Sequence, residues 1–224
     1  MTQHMSEPAG PDFTDAVAEW PVTAARDQFH GRLVTVRTEQ VQMPGGNTAE
    51  REVVLHPGAV AILALDDADR VLMIRQYRHP VRRLLWEIPA GLRDVAGESP
   101  WETAQRELLE EASYRARDWR VLVDYYSSPG FSTELLRVFL ARDLEAVPAS
   151  ERTFVPADEE AELLPGWLPL DEAVARVFAG DLHNGVAAVA VMAGYAARSV
   201  GFDRLRPADA PEEQWGSRVA EGPS

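Results

Sequence analysis

Apolar and polar positions alternate along the chain in short stretches between two polar ends. In Arg32–Met43, the residues Val34, Val36, Val41 and Met43 fall at partly alternating positions, the period of a strand with one buried face. Pro44-Gly45-Gly46-Asn47 is a turn cluster, and Arg51–Leu55 resumes the strand pattern. Ala59–Leu65 and Val71–Gln76 are apolar, β-branched runs around Asp66-Asp67-Ala68-Asp69, which predicts a hairpin or a close relative of one. Leu84–Ile88 is a further short apolar run. Ser99-Pro100 with Glu102 signals a capped helix start, and Trp101, Ala104, Leu108 and Leu109 give the helix Trp101–Ala112 its apolar stripe. Strands over Trp119–Tyr126, Glu134–Ala141 and Leu163–Leu168 follow, then helices over Asp171–Ala179 and Asn184–Ser199. The order strands, helix, strands, helices predicts an α+β fold built on a mixed sheet rather than a strict βαβ alternation. Residues 1–18 and 207–224, polar and rich in proline and acids, read as disordered tails.

Composition narrows the chemistry. With no cysteine, disulfides, thiolate metal sites and a cysteine nucleophile are excluded. All 22 basic residues are Arg, so a Schiff-base lysine and a Walker-type lysine are excluded as well. The net charge of −14 argues against nucleic acid held on a broad basic face, but not against a small anion held by a few Arg and a metal. No export signal is visible, and the longest apolar run, Val186–Ala197, is too short to span a bilayer. The expectation is a cytoplasmic protein with no membrane and no nucleic-acid partner.

The informative stretch is Arg106-Glu107-Leu108-Leu109-Glu110-Glu111. Glu107, Glu110 and Glu111 stand at i, i+3 and i+4, so their carboxylates share one helix face and repel one another. A hard divalent cation such as Mg²⁺ would offset that repulsion. A bare string of this kind is more often a solvated acidic helix face. Its context is more specific: Gly91 ends a strand, Glu98 lies in the following loop, and Arg106 opens the acidic string eight residues on.

Gly91, Glu98, Arg106, Glu107, Glu110 and Glu111 together resemble the Nudix box, G-x5-E-x7-R-E-U-x-E-E-x-G-U with U apolar. The first loop here is one residue longer, and Ser113 replaces the second Gly. The resemblance extends to Gln76-Tyr77-Arg78-His79, Leu85–Gly91, Ser128–Glu134, Asp158–Ala161 and Met43–Gly46, and is closest to the ADP-ribose pyrophosphatases of the actinobacterial type. It implies a Nudix-type α/β/α sandwich with a mixed sheet over 57–206. It also implies a small N-terminal antiparallel sheet over 19–56, used in dimerisation and substrate binding. The implied activity is Mg²⁺-dependent hydrolysis of ADP-ribose to AMP and ribose 5-phosphate, with Mn²⁺ as a possible substitute. The alternatives are hydrolysis of another nucleoside diphosphate sugar, or non-catalytic ADP-ribose sensing.

Residue roles follow from the same resemblance. Glu107 and Glu111 would bind metal directly, Glu110 directly or through water, and the carbonyl of Ala90 would complete the shell. Arg106 and Glu98 would hold helix and loop together. Arg51 and Arg78 would grip adenosine or phosphate, and Glu87 would hydrogen-bond the adenine or ribose end. Pro129, Gly130, Phe131, Ser132 and Glu134 would line the terminal ribose. Glu160 would be the base, a metal ligand or both, with Glu159 as the fallback. A homodimer sharing residues between its sites is expected.

Overall fold

The computed structural model describes residues 12–148, 150 and 164–212. Three strands open it: β1 (Val22–His30), β2 (Thr35–Gln42) and β3 (Thr48–Leu55), an antiparallel sheet in the order β1-β2-β3. Asp27 of β1 and Arg37 of β2 pair across it at 2.6 Å. Every residue of β1 is exposed.

The rest is layered. Strands β4 (Ala59–Ala64), β5 (Arg70–Arg78), β6 (Arg83–Glu87) and β7 (Ala90–Leu92) precede helix α1 (Pro100–Ala112). Then come β8 (Tyr114–Tyr126), β9 (Leu135–Ala146), β10 (Leu164–Pro169), α2 (Leu170–Ala179), α3 (Gly185–Val200) and the two-residue β11 (Arg206–Pro207). One sheet runs β11-β8-β9-β4-β7 and another β10-β5-β6. β4 and β9 are parallel and their other pairings antiparallel, so the larger sheet is mixed, as expected.

β4 is buried at all six positions, and its side chains divide by parity. Ala61 and Leu63 pack with Ala187, Ala190 and Val191 of α3, whereas Val60, Ile62 and Ala64 pack with Ala104 and Leu108 of α1. This is the continuous apolar run of a strand covered on both faces. Gly194 lets α3 approach closely, since a Cβ there would lie 2.3 Å from Leu63 Cδ2.

Two expectations are revised. β4 and β5 do not form a hairpin. Asp66 shapes a tight turn between them, but beyond the single bridge Leu65–Val71 they diverge into different sheets. Residues 207–212, read as tail, are tied down: β11 pairs with β8, and Ala208 is buried in the α1-side core. Among the described residues no helix is long and apolar enough to cross a membrane.

Candidate active site

The carboxylates are placed by a helix whose start is fixed locally. Ser99 accepts a hydrogen bond from the Glu102 N–H, the Glu102 carboxylate accepts one from the Ser99 N–H, and Pro100 occupies the first turn. The helix ends at Ser113, whose backbone is left-handed (φ 58°), the conformation the box normally gives to Gly.

α1 sets its acids against β7. The N–H of Ala90 donates to Glu111 at 2.9 Å. A Cβ at Gly91 would lie 2.0 Å from the Glu107 Cδ, so only Gly leaves room for that carboxylate. Arg106 forks onto both oxygens of Glu98 at 3.1 Å and also reaches Glu107 at 2.6 Å and Glu110 at 3.2 Å. Thr103 donates to Glu98 at 3.0 Å. The hydrogen bonds from Arg106 hold the Glu98 carboxyl below its ordinary range, and Glu98 in turn raises the Arg106 guanidinium further. Arg106 and Glu98 thus join helix to loop, as the motif implies. Arg106 also supplies counter-charge to the acidic face, so repulsion along the helix does not by itself require a metal. Among the described residues no three acidic or His side chains converge, as they stand, into a metal cage.

The β5–β6 hairpin carries the next pair. Both oxygens of Glu87, which is buried, are bound by Arg78, at 2.9 and 2.6 Å. Glu87 was expected to hydrogen-bond substrate; here its carboxylate orients Arg78. The alternation of β6 turns Trp86 to the other face. There it packs on the α2/α3 core and lines a cavity of about 250 Å³ with Met73, Leu168 and Leu182.

The loop before β9 is held by the N-terminal sheet. Val54 of β3 donates to the Phe131 carbonyl at 2.7 Å and accepts from the Thr133 N–H at 3.0 Å. The His56 N–H donates to the Thr133 hydroxyl at 2.9 Å. Glu134 accepts from Ser127 and lies 3.8 Å from His56. Burial, with the Glu134 charge adding to it, pushes the Tyr125 hydroxyl up to about 12. Phe131 is exposed beside the Pro129-Gly130 turn. Arg51 lies on β3, where its guanidinium donates to the Glu50 carbonyl at 2.9 Å. Glu159 and Glu160 lie outside the described residues. Sequence reasoning missed His56, whose contact with Thr133 is distant along the chain, and Ser127, whose bond to Glu134 depends on how the loop folds back; neither leaves a local pattern.

The fold and this helix–strand arrangement define a class. Residues 55–187 match the NUDIX domain, and the chain belongs to that family. It is 47% identical over 188 residues to the ADP-ribose pyrophosphatase of Mycobacterium tuberculosis, covering 84% of this chain and 88% of that protein. It is 37% identical over 170 residues to the ADP-ribose pyrophosphatase of Bacillus subtilis, covering 75% and 89%. A crystal structure described as an ADP compounds hydrolase superposes with a TM-score of 0.70 at 22% identity, over 84% of this chain and 99% of that one, a likeness of fold.

Proposed function

We propose that the protein hydrolyses the pyrophosphate bond of ADP-ribose, with Mg²⁺ or in its place Mn²⁺, giving AMP and ribose 5-phosphate. The observation that carries this reading is the seating of Glu107 and Glu111 against β7, with Gly91 leaving the space. It is joined by the similarity to two proteins named ADP-ribose pyrophosphatase.

The donor set suits a hard divalent ion. Glu107, Glu110 and Glu111 offer carboxylate oxygens from adjacent turns, and the Ala90 carbonyl lies on the strand that Glu107 and Glu111 face. Glu107 and Glu111 would hold the ion directly and Glu110 directly or through water. Bound there, Mg²⁺ would neutralise pyrophosphate oxygens and lower the pKa of a water. Arg78, oriented by Glu87, and Arg51 on β3 bind the adenosine and phosphate end; Arg suits forked phosphate contacts. The turn Pro129-Gly130-Phe131-Ser132 lines the terminal ribose. The carboxylate of Glu134 is held by Ser127 and stiffens that loop. Glu160, with Glu159 as its alternative, takes the proton as the water oxygen bonds to phosphorus and the bridging P–O bond breaks.

The working form is a homodimer in the cytoplasm. An entirely exposed β1 bearing Val22 and Phe29 supports a second copy as its cover, and the absence of cysteine fits a reducing compartment.

Parallel turnover of ADP-ribose, ADP-glucose, GDP-mannose and UDP-glucose in ¹⁸O-water, with products located by mass, tests the reading. ADP-ribose should lead in kcat/KM by about tenfold or more. A higher value on another sugar would reassign the substrate, and no turnover of any would return the chain to a sensing role.

A further inference from the structure

We infer that residues 206–212 form a strap across the main sheet, and that Arg93 and Glu212 are a positioning pair for the carboxylates of α1. The inference rests on the metal-binding reading of Glu107 and Glu111.

The strap starts at one edge of the sheet and ends at the other. β11 pairs with β8, and the Arg206 guanidinium lies 2.9 Å from Asp124. Ala208 enters the α1-side core. The strap then passes β9, where the buried Arg137 donates to the Ala210 carbonyl at 2.8 Å and to both oxygens of Asp124 at 2.8 and 3.0 Å. It ends at Glu212, whose two oxygens each accept from Arg93 at 2.9 Å.

Arg93 is the first residue after β7. That strand is three residues long and lies at the sheet edge, paired through β4 alone. It is also the surface against which α1 sets its acids: Ala90 holds Glu111 and Gly91 faces Glu107. A short edge strand fixed on one side needs a fastening at its far end. Arg93 gives it two, a backbone bond from its N–H to the Gly58 carbonyl at 3.2 Å and the fork onto Glu212. A bidentate guanidinium–carboxylate pair fixes orientation as well as distance. Partners that orient metal ligands from behind typically change metal affinity by tenfold or more when lost.

The test uses the full chain and Mn²⁺ as the probe, with free ion read by electron paramagnetic resonance without substrate. Glu212→Gln should weaken Mn²⁺ binding about tenfold. It should also speed amide exchange across Ala90–Arg93 in the metal-free protein. In an Arg93→Met background, Glu212→Gln should add nothing further to the loss of Mn²⁺ affinity, since the other ion pair of Glu212, to Arg137 at 3.9 Å, lies on β9 and not on β7. Arg206→Gln, at the strap's other end, should lower Tm and leave Mn²⁺ affinity unchanged. Wild-type affinity and exchange in Glu212→Gln would overturn the inference, and an equal loss of affinity in Arg206→Gln would overturn the positioning role of the Arg93–Glu212 pair by showing a general loosening of the sheet. Glu107→Gln separates this from the underlying reading. If that variant binds Mn²⁺ like wild type, the metal assignment fails, and amide exchange alone decides whether Glu212 fastens β7.

Discussion

Strands β1 and β4 are both regular and have opposite surroundings. β1 is exposed at all nine positions and β4 buried at all six. β4 lies between α1 and α3, and its apolar content accounts for its place. β1 carries Arg26, Asp27 and Gln28 amid Val22 and Phe29, and within one chain it touches little beyond β2. Among the described residues the sandwich buries its central strand on both sides, whereas β1 is left exposed along its whole length. The parts of the proposed site divide along the same line: the carboxylates belong to the sandwich, and Arg51 to the sheet.

The largest effect expected from breaking this division lies on the sandwich side. Gly91→Ala should push the Glu107 carboxylate off β7 and cut kcat by about 10²-fold, the scale of a 1 Å misplacement. Sedimentation should show an unchanged particle mass; a full-rate Gly91→Ala would show that the Glu107 seat is irrelevant to turnover. On the other side, Phe29→Asp puts a charge on the exposed face of β1. It should weaken self-association by about tenfold or more, while Tm moves little. A dimer of undiminished affinity in that variant would place the interface elsewhere.

Acid provides a milder probe of the sandwich. Arg106 holds the folded-state pKa of Glu98 below the ordinary 4.5, so the stabilisation is fully present above that value and lost as pH falls through the lowered one. Melting curves of wild type and Glu98→Gln should therefore converge as pH drops below 4.5. Curves that stay parallel would show that the Glu98–Arg106 clamp contributes no linkage. The smallest effect is a gain. Ser113 is held in a left-handed conformation, so Ser113→Gly should stabilise by about 1 kcal/mol in urea titration. A loss would mean that the Ser side chain contributes something the backbone does not show.

What the sequence disclosed follows the range of the interactions. The helix cap at Ser99, the stripe of α1 and the strand character of β4 depend on neighbours within a few residues, and they were legible. The positive φ at residue 113 was legible too, because the motif shows Gly there. β1 was not read as a strand, since VTAARDQFH has little alternation and its order comes from pairing with β2. β4 and β5 looked like a hairpin because the turn at Asp66 is local, while the choice of partner sheet is not. Distance along the chain also hid the anchoring of residues 207–212, whereas the Arg78–Glu87 pair and the hold of Ser127 on Glu134 depend on how the β5–β6 hairpin and the loop before β9 fold back on themselves.

The tether at Val54 has a consequence for how such chains can change length. Val54 and His56 are bonded to Phe131 and Thr133, so the downstream end of β3 is fixed to the loop before β9. Arg51 lies upstream on the same strand, and each inserted residue between it and the tether would move it about 3.3 Å and reverse the face it presents. The Pro44–Asn47 turn at the strand's other end is exposed and, among the described residues, has no such bond to the sandwich. Insertions and deletions should therefore collect at that turn in drifting lineages and be purged between Arg51 and Val54. Tolerance to indels would then mark which stretches of the sheet are geared to the sandwich and which merely hang from it.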